Sequence, residues 1–111
     1  MFGSPDMTEK DLFTVYERLK DRYALTMTNT LSAHECFRMD VPILIARAHD
    51  RILWLYVDAG EFVFDVMDSA CTVGTHWHPM TTDQAVRDVT AFMEGTEEYP
   101  MYPLPGRQSS T

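Results

Sequence analysis

Basic side chains are scarce in this chain: nine lysines and arginines stand against seventeen aspartates and glutamates, a formal net charge of −8. That balance repels nucleic-acid phosphates and anionic lipid headgroups, so the expectation is no nucleic-acid partner and no membrane surface. A basic protein partner, or none, fits better, although mild acidity also serves solubility. Long apolar runs are missing too. None approaches the roughly 18 to 20 residues of a membrane span, and the N-terminus lacks the basic and apolar regions of a secretory signal. The composition therefore reads as that of a soluble cytoplasmic protein. Cysteine is limited to Cys36 and Cys71. Their spacing fits neither a C-x-x-C redox motif nor paired zinc knuckles, and two buried or half-buried free thiols are expected. No glycine-rich phosphate loop or dinucleotide fingerprint occurs, and no serine sits in a nucleophile elbow.

What is present suffices for one domain. A chain of 111 residues, 45% of them apolar, can bury a real core and is too short for two. Residues 1–7 lack periodicity and read as a disordered or artificially appended end, residues 8–95 as a single α+β domain, and residues 96–111 as an extended tail rich in proline and tyrosine. Thr8 with Asp11 resembles a capping box, and Leu12, Val15, Tyr16, Leu19 and Tyr23 form one helical stripe, predicting a helix over Glu9 to Ala24. Thr26 to Ser32 reads as a connection, with a possible short edge strand at His34 to Met39. Four alternating runs follow at Ile43–Ala48, Ile52–Asp58, Glu61–Met67 and Thr72–His78, and the short breaks between them require an antiparallel meander. Thr81 with Gln84 caps a second helix carrying Ala85, Val86, Val89, Phe92 and Met93, which Gly95 stops.

Pairing Asp58 with Glu61 across Ala59-Gly60 assigns every strand residue to a face. Leu44, Ala46, Leu53, Leu55, Val57, Phe62, Phe64, Val66, Val73 and Trp77 make one nearly pure hydrocarbon face, which both helices should cover. Each large side chain buried there contributes roughly 1.5 to 3 kcal/mol. The opposite face collects Ile43, Ile45, Arg47, Trp54, Tyr56, Asp58, Glu61, Val63, Asp65, Met67, His76 and His78. Ile45, Trp54, Tyr56 and Val63 would form an apolar patch larger than monomers usually expose, so a second copy, the tail from Tyr99 to Leu104, or another partner should cover it.

Within that face, His76 and His78 point the same way on a strand, and with Glu61 they could hold zinc or iron. The competing reading is a polar rim of hydrogen-bonded imidazoles. This extended register sets Val63 opposite His76 and Glu61 opposite His78. It also sets Arg47 across from Trp54, a stacking platform that with Tyr56 suits a protein anchor. Cys71 lacks the setting of a thiol nucleophile. The His76-Trp77-His78-Pro79 junction is similar to one in small bacterial proteins of unassigned function and implies no mechanism.

The reading that follows is an α+β domain: a helix, a four-stranded antiparallel meander with a possible fifth strand, and a second helix, both helices on one sheet face. Its function is read as a non-catalytic protein-interaction module of the immunity or chaperone type, self-associating as a homodimer through the outer sheet face. Ile45, Arg47, Trp54, Tyr56, Asp58, Glu61, Val63 and Asp65 would be its binding residues. No cofactor is required. Two alternatives stay open: a metal-binding protein or metal-dependent enzyme using His76, His78 and Glu61, and a small-molecule-binding domain.

Overall fold

The alternation between Ile43 and Trp77 becomes the centre of an antiparallel sheet in the computed structural model, which describes residues 6–28 and 41–103. The elements run α1 (Glu9–Leu19), β1 (Thr26–Thr28), β2 (Ile43–Ala48), β3 (Arg51–Asp58), β4 (Glu61–Asp68), β5 (Val73–Trp77), α2 (Thr82–Glu94) and β6 (Tyr102–Pro103). Among the described residues the sheet has six strands, ordered as in the sequence and antiparallel throughout. The fold is α+β. None of the described helices is long and apolar enough to cross a membrane.

Two edge strands extend the four expected ones. Thr26–Thr28, read as a connection, pairs Thr26 with Ile45 and Thr28 with Ile43. Its β-branched threonines suit a pleated edge, but without apolar alternation they carry no strand signal. At the other edge Tyr102 pairs with Gly74 and Pro103 with Val73. Proline is tolerated there because an edge strand need not donate on its outer side. The strand expected at His34–Met39 lies outside the described residues.

The first helix ends at Leu19, five residues short of the expected Ala24. The Leu19 carbonyl accepts from the Arg22 and Tyr23 N–H groups in a closing turn. Tyr23 nevertheless packs against the core, which explains why it fell on the helical stripe. The Thr8 N–H donates to the Asp11 carboxylate at 2.8 Å, completing one half of the capping box. Met7, placed in the unstructured end, packs against the core and donates its N–H to the Gly60 carbonyl at 2.9 Å.

At α2 the Gln84 N–H donates to Thr81 Oγ1 at 3.0 Å, and the Gln84 side chain accepts from the Met80 N–H. Gly95 ends the helix at φ 72°. A side chain there would be strained, and its Cβ would also lie 3.0 Å from His49 Nε2. That same Nε2 lies 3.2 Å from the Met93 carbonyl, to which it donates, tying the β2–β3 turn to the end of α2.

Leu12, Val15 and Leu19 of α1 and Ala85, Val89 and Phe92 of α2 share one buried cluster with Leu44, Leu53, Leu55, Phe62, Phe64 and Val66 of the sheet. The indole of Trp77 stacks on Phe64 at 4.3 Å between ring centroids and on Tyr99 at 5.5 Å, and its N–H donates to Asp88 of α2 at 2.9 Å. Tyr99 therefore packs with the helix-side core, away from the outer face for which the tail was one of three candidate covers.

The β3–β4 register is the expected one, pairing Asp58 with Glu61 and Trp54 with Asp65. Two neighbouring registers differ by two residues. A two-residue turn at His49-Asp50, both with positive φ, pairs Ala48 with Arg51, so Trp54 faces Ile45 while Arg47 faces Ile52. The expected Arg47–Trp54 platform does not form. Across the next hairpin Met67 pairs with Gly74 and Asp65 with His76, in place of the expected Met67–Thr72 and Val63–His76 pairs. The cause is local: Asp68 accepts from the Thr72 N–H, the Thr72 hydroxyl and the Val73 N–H at 2.8 to 3.0 Å, which draws Thr72 into the turn. Both offsets are even, so every side chain keeps its face.

Candidate functional site

The outer face divides into a dry part and a polar end. Ile43, Ile45, Ile52, Trp54, Met67 and Cys71 form a second buried cluster, against which Val41 and Tyr56 pack. Trp54 and Ile43 have no exposed surface, and Ile45 and Val63 are each 8% exposed. The sequence reading made Ile45, Trp54, Tyr56 and Val63 an apolar patch that something should cover. In the structure three of them are buried and Tyr56 is half-buried, so that patch is not open.

Cys71 belongs to this cluster and is disulfide-bonded. The expectation of a free thiol at Cys71 is therefore corrected. The only other cysteine in the sequence, Cys36, lies outside the described residues. Spacing rules look for short local motifs, and Cys71 stands in none of them.

The polar end is built by β3, β4 and β5. Tyr56 stands two rungs from Asp65 along the β3–β4 ladder, on the same face, and its hydroxyl donates to Asp65 Oδ2 at 3.1 Å. This is a diagonal cross-strand pair. Asp65 faces His76 on its other side. The His76 and His78 rings meet edge to face at 5.8 Å. His78 Nδ1 donates to the Phe62 carbonyl at 2.9 Å and lies 3.4 Å from Glu61 Oε1. Asp58, Glu61, His76 and His78 are exposed, while Asp65 is mostly shielded from solvent.

Burial pushes the Asp65 carboxyl above its ordinary range, against the opposing hydrogen bond from Tyr56 and the nearby imidazoles of His76 and His78. Burial and the Asp65 charge likewise raise the Tyr56 hydroxyl. The ionised Asp65 is thus held with one phenolic donor and incomplete compensation. Such a carboxylate gains from an approaching cation, because guanidinium or ammonium donors restore what desolvation removed.

The metal reading finds little geometry to stand on. Among the described residues no group of three or more His, Cys, Asp or Glu side chains is placed to hold a metal ion. His78 spends Nδ1 on the Phe62 carbonyl, and the two rings stand nearly perpendicular. An open cleft of about 320 Å³ lies at the opposite end of β3, lined by Arg47, Ala48, Asp50, Arg51, Ile52 and Ser69. Arg47 and Arg51 sit on opposite faces of the sheet, since Arg47 pairs with Ile52 and Arg51 with Ala48. Arg51 turns toward the helix side, 6.0 Å from the Tyr99 ring centroid. The cleft therefore lacks a convergent pair of cations.

Of the sequence-derived binding residues, the structure gathers Tyr56, Asp58, Glu61 and Asp65 at one end, joined by His76 and His78. Ile45, Trp54 and Val63 go to the interior, and exposed Arg47 goes toward the far cleft. The Tyr56–Asp65 and Asp65–His76 relationships were not anticipated. The first follows from the expected register once diagonal neighbours are considered, and the second required the turn at Asp68. Comparison with protein-family models, curated proteins and solved structures finds no match to this chain.

Proposed function

We propose that the chain is a non-catalytic protein-interaction module that receives a positively charged segment of a partner at the polar end of its outer sheet face. The observation that carries this reading is the shielded Asp65 carboxylate, held by Tyr56 beside the exposed Asp58 and Glu61. An arginine or lysine brought to Asp65 offsets the desolvation of both charges. The exposed acids and the net charge of −8 speed its approach.

Self-association through the apolar outer face, the version read from the sequence, would need Trp54 and Ile45 at the surface. Their burial favours the polar end as the contact. The disulfide at Cys71 supports work in an oxidising compartment over the cytoplasmic expectation.

An arginine-rich peptide titrated into the full chain and followed by fluorescence anisotropy tests the reading. Binding should weaken as salt is added and fall sharply in an Asp58→Lys, Glu61→Lys double variant, whose substitutions are exposed. Equal affinity of the wild type and the double variant would sink the proposal.

A further inference from the structure

We infer, on the reading that a cationic segment docks at the polar end of the outer face, that this site selects arginine over lysine, with the His76 ring as the surface on which the partner's guanidinium lies while its N–H groups reach Asp65. Charge alone does not choose between the two cations, since the exposed Asp58 and Glu61 attract either. The surroundings of Asp65 do.

Trp54 and His76 stand directly opposite Asp65 on β3 and β5, and Val63 and Met67 flank it on the same face of β4. Trp54, Val63 and Met67 are buried, whereas His76 is exposed. Among these neighbours the open side of Asp65 is therefore that of His76. Residues paired across two strands have Cβ atoms about 4.5 to 5.5 Å apart, so a flat group lying on the imidazole is within hydrogen-bonding reach of the carboxylate.

The His76 ring is positioned before any partner arrives. It meets the His78 ring edge to face at 5.8 Å, and His78 is itself tied down by the bond from its Nδ1 to the Phe62 carbonyl at 2.9 Å. An edge-to-face contact occupies at most one face of the His76 ring and leaves the other for stacking. Guanidinium is flat, stacks on aromatic faces and is weakly hydrated, so it gives up water beside a shielded carboxylate at less cost than ammonium does. Its donors also form a fork that matches a carboxylate. Tyr56 donates to Oδ2 of Asp65, which leaves Oδ1 and a second lone pair on Oδ2 to accept from that fork. Lysine brings a compact, strongly hydrated charge that matches neither the ring nor the paired oxygens.

Two labelled peptides of equal length and charge, one with arginine and the other with lysine at every basic position, are titrated into the full chain at pH 8 and followed by fluorescence anisotropy. The arginine peptide should bind about fivefold more tightly, the gain from one stacked and partly desolvated guanidinium. His76→Gln, which keeps a polar side chain without an aromatic ring, should bring the arginine affinity down to that of the lysine peptide and leave the lysine affinity nearly unchanged. His76→Phe, which returns a ring face, should return the preference. Each preference is a ratio measured on one protein, so a partial loss of folded chain in a variant cancels. Equal affinities of the two peptides for the wild-type chain, or a preference that survives His76→Gln, would overturn the selection of arginine and leave the docking of a cation standing. Binding of neither peptide, or equal binding of both to the wild type and to the Asp58→Lys, Glu61→Lys variant, would remove the docking itself and the selection with it.

Discussion

Tyr56 donates to Asp65 across the β3–β4 ladder at 3.1 Å, two rungs away from Val63, the residue that directly faces it. The bond gives a mostly shielded carboxylate one fixed donor and leaves the rest of its charge to the imidazoles of His76 and His78 and to any cation that arrives.

Asp65→Asn should stabilise the protein at neutral pH. The folded carboxyl titrates above its ordinary value, so the stability linked to its protonated form is complete below about pH 4 and is lost as pH rises through the raised folded value. Asparagine keeps an acceptor for Tyr56 and carries no charge to desolvate. The thermal midpoint should rise by a few degrees at pH 7, with the difference shrinking toward pH 4. Tyr56→Phe should act in the opposite direction, costing about 1 to 2 kcal/mol at pH 7 by removing a bond to a charged group. Thermal melts of both variants across pH 4 to 8 check the two signs.

Trp54→Ala should cost about 3 to 5 kcal/mol, the range for deleting a large aromatic from a core. Trp54 has no exposed surface, although it stands on the face of the sheet opposite the helix-covered core. Tyr102→Ala, at a side chain that is 60% exposed, should stay within about 0.5 kcal/mol of the wild type. Denaturant melts of the two variants separate a second core from a surface patch, because a patch open to water would make both small.

Tyr99 joins the tail to the domain by its ring and not by its hydroxyl. The ring stacks on Trp77 at an interplanar angle of 10°, while the buried hydroxyl has no hydrogen-bond partner among the described residues. Tyr99→Phe should therefore be neutral or stabilising by up to about 1 kcal/mol, and Tyr99→Ala destabilising by about 2 kcal/mol. Burial, with Glu97 and Asp88 adding to it, pushes the hydroxyl up to about 12. The stability linked to its neutral form is present below about pH 10 and lost as pH rises through about 12, a loss the Phe variant should lack. Chemical denaturation at pH 8 and pH 11 reads both effects.

The central strands, their faces and both helix starts could be read from the chain because each rests on local periodicity or a cap: Leu53 and Leu55 alternate with Trp54 and Tyr56, and Thr81 precedes Gln84 by three. The edge strands could not. Thr26–Thr28 has no apolar alternation, and Tyr102–Pro103 looks like any proline-rich extension until β5 offers it a partner. Helix α1 was drawn too long because Tyr23 returns to the core from a turn that happens to continue the helical spacing.

The sequence by itself determined which side of the sheet each strand residue takes, because alternation has a period of two and survives any even slip in register. Only the tertiary structure decided which residues meet. Asp68 drawing in Thr72 set Asp65 opposite His76, and the turn at His49-Asp50 set Ile45, in place of Arg47, opposite Trp54. It also decided that Trp54 is interior and that Cys71 is bonded, since both depend on what the fold brings to a face, which no local pattern records.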